Sequence, residues 1–468
     1  MRQILTSAQL RAAERHIFDT RPDVDLMSLA AREVARVTDL VEPTGKVIVA
    51  VGPGNNGGDG LFAAALLAEH RPVLLWLVNG RAHEEGLIAA VVAGAQEVDA
   101  VSAIGALADC AVVIDAFTGL GSRPGLPPQV ATFAAACEAQ AVQVVAVDLP
   151  SGLDADLGRV STSFQATHTV TFAAPKPCHV QQPAAARCGR IHIADIGLDI
   201  QETNQRIAEE ADIAGWWPSP DEGSDKYSRG VVTLDTGSES YPGAALLSCA
   251  GALHAGAGMV RYTGRAPSGL ILSRFPSVVI GDGRAEATVL GSGWGDTDNA
   301  ASRVEWAKLH NLPAVVDADA LYSLPRGRLD GWLLTPHAGE LARLLGCTRA
   351  HVEAEPLACV REVSRTSGAA VLLKGATQYV AEPSGRVTLA VRGPAWTARA
   401  GSGDVLAGIC GALLAAGLPA WKAGVMGASI QAITAGRNPG PYTPDELSAR
   451  MPSTIAELVG QPSSVSPT

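Results

Sequence analysis

The sequence predicts two α/β domains in tandem, each a mostly parallel sheet packed between helices. Three observations carry this. Short β-rich runs alternate with helical segments along most of the chain. Many of those runs end in a carboxylate or a Gly-rich turn, as strands do where a parallel sheet presents a site at its C-terminal edge. The length of 468 residues suits two or three domains, and 47% apolar but only 4% aromatic content suits close-packed layers with thin helices.

The elements follow in order. TSAQLRAAERH, with Thr6 or Ser7 as a cap, and MSLAAREVARVTDL read as helices. KVIVAVG (46–52) is a buried parallel strand. It feeds the Gly-rich loop GPGNNGGDG (52–60), and LFAAALLAEH continues as a helix. PVLLWLV (72–78) is a strand, and Glu84 to Gln96 is helical. AVVIDAFTGLG (111–121) is a strand ending at Asp115, a helix covers 128–139, and VQVVAVDLPSG is a strand ending at Asp148. HTVTFAAPKP (168–177) and RIHIADIG (190–197) are further strands.

Residues 200–224 are polar and then rich in Pro, Gly and acids, so a boundary is expected there: one domain over 1–212, a linker over 213–224, a second domain over 225–440 and a tail over 441–468. Trp216 and Trp217 read as packing rather than a ligand stack. The second half repeats the alternation. VVTLDTGS (231–238) is a strand and loop, and 241–260 a helix followed by a strand. Strands follow at SVVIGD, TVLGSGWG and PAVVDADAL, with a helix over 299–309 between the last two. WLLTPHAGELARLLG is strand, turn, helix, and 369–391 a strand and hairpin. GSGD (401–404) then opens the helical close, with the last eight residues expected to be disordered.

Bulk properties exclude several classes. A net charge of −11 with no Lys/Arg run disfavours nucleic acid as a partner. The 8 cysteines are scattered with no CxxC, which argues for reduced thiols in a cytoplasm rather than a zinc ribbon or disulfide scaffold. MRQILTSAQLRAAERH lacks the apolar core of a signal peptide. The apolar stretch from Asp404 to Gly436 is interrupted by Pro419, Lys422 and several glycines, so two buried helices are expected and no membrane span.

Two constellations point to chemistry. In the first half, GNNGGDG brings two Asn side chains and an Asp to a loop rich in backbone amides, suited to phosphate, ribose and a cation. An ordinary NAD mode is disfavoured because the second strand ends at Asn79, without the acid that would hold a ribose. Asn56, Asp115 and Ser151 offer oxygen ligands for a hard cation, leaving Asp148 as a base. In the second half no Walker A motif occurs. Instead His337 and Glu340 stand at a helix start, Lys374 at a strand end, and Gly401 to Asp404 at another helix start. Backbone amides for an anion, a Lys for phosphates, an acid that orders magnesium through water, and the base Asp404 are the parts of phosphoryl transfer.

GPGNNGGDG, DAFTGLGSRPG, DLPSGLDAD and FAAPKP together resemble the YjeF N-terminal domain, the NAD(P)HX epimerase, over roughly residues 1–210. The resemblance implies a Rossmann-like three-layer domain with a bound potassium ion. It implies that Asn55, Asn56, Gly57, Gly58 and Asp59 contact NAD(P)HX, the hydrated nicotinamide cofactor, together with the second loop Gly119, Leu120, Gly121, Ser122, Arg123, Pro124 and Gly125. It further implies potassium on Asn56, Asp115 and Ser151, and Asp148 as substrate contact and acid/base. Thr118 stands where a bulky apolar residue is expected.

YPGAALLSCAGALHAGAGMV, GSGWG, DADAL, LTPHAGE, LLKGAT and GSGDVLAG resemble the ribokinase-like superfamily, and within it the ADP/ATP-dependent NAD(P)HX dehydratase, over roughly 225–435. This implies that Ala245, Gly293, His337 and Asp404 contact NAD(P)HX, that Lys374, Gly375, Ala376, Thr377 and Gly403 contact the nucleotide, and that Glu340 orders magnesium. Two departures stand out: Trp294 follows the glycines of GSGW, and Asp235 and Thr236 stand where a plainer Gly-Gly-Ser is common. Together the resemblances imply a fused enzyme that epimerises R- and S-NAD(P)HX and dehydrates the S form with ADP, giving AMP and phosphate. Cytoplasmic location and homo-oligomeric assembly are expected. The alternative is a ribokinase-like kinase of a vitamin precursor with a fused non-catalytic nucleotide-binding domain.

Overall fold

A computed structural model describes residues 1–121, 123–295 and 299–460. The chain forms two compact units, one of Gln3–Thr203 and one of Asn204–Thr468 with Met1–Arg2.

The first unit holds a seven-stranded, wholly parallel sheet. Its order is Gln96–Val98, Val73–Leu77, Lys46–Val51, Cys110–Ala116, Gln143–Val147, His168–Phe172, Arg190–Ala194. From Lys46–Val51 the chain runs first to one side and then, at Cys110–Ala116, to the other. A crevice therefore opens past the C-terminal ends of those two strands. Val47, Ile48, Val49, Ala50 and Val51 are all fully buried, as a β-rich run covered on both faces must be. Helices Leu26–Val41 and Asn55–Ala68 cover one face, while Pro128–Ala139 covers the other around Trp76, Phe133 and Phe164. Thr6 caps helix Ser7–Thr20 in a reciprocal box with Gln9. The helix expected over 84–96 ends at Val92, Gln96 instead begins strand Gln96–Val98, and these two short elements, that strand and helix Ala100–Gly105, were not read from the sequence.

One difference matters for the site. The expected loop 52–60 is a loop only to Gly54, and Asn55 to Gly60 form the opening turns of helix Asn55–Ala68. Glycines are poor helix formers, but here Gly57 must be small: a Cβ on it would sit 1.9 Å from the Gly52 carbonyl oxygen.

In the second unit the strands run Gln205–Ile207, Val387–Leu389, Tyr379–Ala381, Ala370–Leu373, Leu333–Leu334, Ala314–Val316, Ala287–Leu290, Val231–Asp235, Met259–Tyr262, Val279–Ile280. All pairs are parallel except those made by the hairpin strand Tyr379–Ala381. The two apolar segments expected near the C-terminus are buried helices, Ser402–Ala415 and Ala420–Arg437. Among the described residues no helix is long and apolar enough to cross a membrane.

The composition shift at 213–224 falls inside this second unit. The polar run before it is structural: Arg206 donates to Thr388 Oγ1 at 2.9 Å, and its strand pairs with Val387–Leu389. Helix Glu210–Trp216 follows, with Trp216 edge-on to Trp421 and Trp217 against the same core. Arg2 pairs with Glu209, and the N-terminal amine with Asp212. In the region read as a tail, helices Pro444–Ser448 and Met451–Gly460 are formed, the second burying Met451 and Leu458 in the core. Residues 461–468, expected to be disordered, lie outside the described residues.

Helix Ser402–Ala415 crosses helix Pro242–His254 backbone to backbone. A Cβ on Gly408 would lie 2.1 Å from Ser248 O, and one on Gly251 2.1 Å from Val405 O. No side chain can yield at these points, so overpacking must part the helices. Gly408→Ala should lower unfolding free energy by about 1–3 kcal/mol in urea titrations.

Candidate functional site

Each unit opens a helix at the C-terminal edge of its sheet without a side-chain cap. Helix Asn55–Ala68 starts at Gly54, and helix Ser402–Ala415 starts at Gly401 with φ +90°. Amides left free in this way, at the positive end of the helix dipole, suit an anion.

In the first unit that helix start borders a cavity of about 410 Å³, lined among others by Asn55, Asn56, Asp59, Gly119, Leu120, Gly121 and Asp148. These expected contacts therefore meet. Gly57 and Gly58 do not line it: Gly57 packs on Gly52, and Gly58 on Met27 and His83. Arg123, Pro124 and Gly125 also lie outside the lining, and Gly125 instead donates to Gly152 O at 2.8 Å. Ser122 lies outside the described residues.

Asp148 stands at the end of strand Gln143–Val147 with φ +64°, a conformation that costs a non-glycine residue energy and persists where its surroundings hold it. Here the fully buried Lys176 Nζ donates to Asp148 Oδ1 at 2.6 Å and Thr171 Oγ1 to the same oxygen at 3.1 Å. Lys176 also reaches Phe172 O at 3.2 Å. Sequence reasoning missed Lys176, Thr171, Arg11 and Glu14. Lys176 lies in FAAPKP, quoted for its family resemblance without a role. Arg11 and Glu14 lie three apart on a helix that reads as ordinary surface, yet both line the cavity, and Arg11 donates to Leu120 O at 2.8 Å.

Asn56, Asp115 and Ser151 gather around the turn 117–119. Ser151 Oγ donates to Asp115 Oδ1 at 2.6 Å, its amide to Oδ2 at 2.7 Å, and the Thr118 amide to Ser151 Oγ at 2.8 Å. Asn56 lies against Gly119, where a Cβ would sit 2.9 Å from Asn56 Oδ1. Asp115 is fully buried and has no cationic partner among the described residues, so burial raises its carboxyl to about 7. Asn56 Nδ2 and Thr118 Oγ1 are buried without a hydrogen-bond partner. Neutral oxygens around one uncompensated carboxylate fit a large monovalent cation. The polar Thr118, at a place where an apolar residue was expected, belongs to this group.

In the second unit Lys374, at the end of strand Ala370–Leu373, is the centre of the charges. Its Nζ donates to Asp317 Oδ1 at 2.5 Å and lies 3.9 Å from Glu340 Oε2. Asp317 also accepts from Thr335 Oγ1 and Ser292 Oγ, both at 2.9 Å. The strand ending in Asp317 was read, but its role in holding Lys374 was not. Gly403 lies beside the same ammonium, where a Cβ would sit 3.4 Å from Nζ. His337 and Glu340 cap each other: His337 Nδ1 accepts from the amides of Gly339 and Glu340 at 3.0 and 3.2 Å, and Glu340 Oε2 accepts from the His337 amide at 2.7 Å.

Burial governs the protonation of this group. It would lower Lys374, but the negative charges of Asp317 and Glu340 reverse that and raise it. Burial raises Glu340 despite Lys374. Asp404, in the first turn of its helix, is raised to about 7 by burial and then by Asp317, with Lys374 opposing. A carboxyl poised there suits a base at neutral pH.

Ala245 and Gly293 meet in a second cluster. Gly237 donates to Ser292 O at 2.7 Å, a Cβ on Gly237 would be 2.7 Å from Ala245 Cβ, and one on Gly293 2.4 Å from Ala244 Cβ. Ala245 is fully buried against this loop. Gly401 packs on Leu247 of helix Pro242–His254. The departures Asp235 and Trp294 form one assembly: Arg303 pairs with the Asp235 carboxylate, its guanidinium lies 3.7 Å from the Trp294 ring centroid, and Trp294 Nε1 donates to Asp235 O at 2.7 Å. Gly375 and Ala376 are exposed on the turn after Lys374, with Thr377 half-buried beside them.

Two α/β units, each with an uncapped helix end and a strand-end carboxylate, define a fused α/β protein with a place for an anion in each half. Residues 23–178 match the family described as YjeF-related protein N-terminus, and residues 232–453 match NAD(P)H-hydrate dehydratase. The chain is 40% identical over 447 residues to the bifunctional NAD(P)H-hydrate repair enzyme Nnr of Mycobacterium tuberculosis, covering 90% of this chain and 91% of that one. The Mycobacterium leprae counterpart is 38% identical, covering 97% of this chain and 98% of that one. A structure of ADP/ATP-dependent NAD(P)H-hydrate dehydratase from Bacillus subtilis, co-crystallised with ATP and Mg2+, shares the second unit's fold. Its TM-score is 0.51 at 24% identity, over 55% of this chain and 100% of that one. The chain belongs to the bifunctional NAD(P)H-hydrate repair enzyme family.

The buried Lys176–Asp148 pair is sensitive to mutation. Removing one partner leaves the other charge uncompensated. Lys176→Met should cost about 3–5 kcal/mol of stability, read by urea unfolding monitored by circular dichroism.

Proposed function

We propose that the first unit interconverts the R and S epimers of hydrated NADH and NADPH, and that the second restores NAD(P)H from the S epimer while converting ADP to AMP and phosphate. The observation that carries the reading is Asp404: a carboxyl raised to about 7 stands in the first turn of an uncapped helix, in the electrostatic reach of Lys374 and Asp317.

In the second unit the terminal phosphate of ADP would lie at the amides of the 401–404 turn, with Lys374 beside it. Asp317 holds that lysine in place through a 2.5 Å contact. Asp404 takes the proton of the C6 hydroxyl as its oxygen attacks the terminal phosphorus and AMP leaves. The phosphate ester then departs from C6, the ring loses a proton at C5, and the double bond reforms. His337, Gly293 and Ala245 would shape the nicotinamide side, and Lys374 to Thr377 with Gly403 the nucleotide side. Asp317 already accepts from three donors and Glu340 from the His337 amide, so Glu340 would hold magnesium through water rather than directly. Magnesium, when bound, would neutralise phosphate charge.

In the first unit the start of helix Asn55–Ala68 would take the pyrophosphate, and Asn55, Asn56 and Asp59 with the 119–121 loop the rest of the substrate. Asn56, Asp115 and Ser151 would hold potassium, which when bound would balance Asp115. Asp148 would carry the proton. The reading includes homo-oligomeric assembly and a cytoplasmic setting.

The test supplies mixed epimers with ADP and follows NADH absorbance together with epimer ratio. Asp404→Asn should abolish NADH formation while epimer equilibration continues; a phosphorylated product that accumulates would instead identify a kinase. A base must be ionised to act, and burial pushes the Asp404 carboxyl up to about 7. Dehydration kcat/KM should therefore rise with pH through about 7 and level off above it, falling about tenfold per unit below.

A further inference from the structure

The cavity of the first unit holds more acid than a single proton carrier needs. Glu14 reaches it from helix Ser7–Thr20, Asp59 from helix Asn55–Ala68, and Asp148 from a strand end. Their surroundings differ. Asp148 has a buried ammonium 2.6 Å from Oδ1, and both of its side-chain partners bond that oxygen, so Oδ2 remains to accept a proton. Glu14 makes no hydrogen bond among the described residues. Three carboxyls on separate elements around one space, with one of them tied to a lysine, is an arrangement that separates an acid from a base.

We propose that Glu14 is the general acid of epimerisation and acts with Asp148 as the base. The proposal rests on the reading of the first unit as an epimerase. The reacting carbon carries a hydroxyl and is bonded to the ring nitrogen. The Glu14 carboxyl donates its proton to that hydroxyl. The C6–O bond breaks, water leaves, and the lone pair of N1 forms the C6=N1 double bond. A water molecule adds to the opposite face of C6, the electron pair returns to N1, and Asp148 takes the proton that this water sheds. One proton has moved from Glu14 to Asp148, and its return through solvent resets the site.

The groups facing Glu14 suit this role. Burial and Asp148 raise its carboxyl, while Lys176, Arg11 and Arg15 oppose that rise. Asp59 differs: burial, Asp148, Glu14 and Asp25 all raise it, with no cation opposing.

The experiment follows R-to-S conversion by chromatography in the full-length protein, with S-epimer dehydration by the same variant as the folding control. Glu14→Gln should lower epimerisation kcat about 100-fold or more with KM within about threefold, and Glu14→Asp should recover part of the rate. The wild type should lose kcat/KM on the alkaline side as Glu14 ionises, and Glu14→Gln should be flat there. In water enriched in oxygen-18, each inversion should place one heavy oxygen on C6. A Glu14→Gln enzyme with kcat within about threefold of wild type, a loss confined to KM, or inversion without oxygen exchange would overturn the proposal. If the wild type dehydrates the S epimer but does not invert the R epimer, the epimerase reading itself falls, and the acid with it.

Discussion

A carboxylate taken out of water must find a cation, accept donors from all sides, or give up its charge. Both sites of this protein are built on that choice. Asp148 and Asp317 are buried and keep a lysine within 2.6 Å. Asp115 has only amide and hydroxyl donors, and Asp404 has no bonded partner among the described residues; each is pushed up to about 7. The lysines thus separate the acids that keep a paired charge from those that burial pushes up. Strand ends supply the anchors because a parallel sheet delivers its last residues into a space already cleared of water by the flanking helices.

Close backbone approach explains two of the glycines near these sites. At Gly57 the helix start approaches the strand end at backbone distance, and Gly403 lies beside the Lys374 ammonium. At Gly57 a side chain would meet the Gly52 carbonyl, and at Gly403 it would stand beside the ammonium.

Much of this was legible in the residues. The alternation of short β-rich runs with helices announced two parallel sheets, and the strand-end acids announced where to look. GNNGGDG and GSGD were recognisable because glycine next to a polar residue at a helix start has few other uses. What the residues could not display was pairing across distance. Lys176 bonds Asp148 and Lys374 bonds Asp317, yet nothing local distinguishes these lysines from solvated ones. Arg11 and Glu14 sit on a helix whose pattern is that of an ordinary amphipathic surface. The boundary is a similar case. A polar, Pro- and Gly-bearing run resembles a linker, but Arg206 and Trp216 are tied into the second unit by Thr388 and Trp421, partners far along the chain. Asp235 and Trp294 read as two separate departures until Arg303 joined them.

The backbone contact between Gly251, Gly408 and their opposing carbonyls has a further meaning for how the second site can change over evolutionary time. Most buried positions drift by paired exchange, one side chain growing as its neighbour shrinks. Here the neighbour is main chain, which has nothing to give. The two positions are therefore closed to gradual substitution, and the separation of helices Pro242–His254 and Ser402–Ala415 is inherited as a constant. New substrates for this scaffold would have to come from the loops that follow the strands, because the spacing that sets Asp404 over the sheet is not available for tuning.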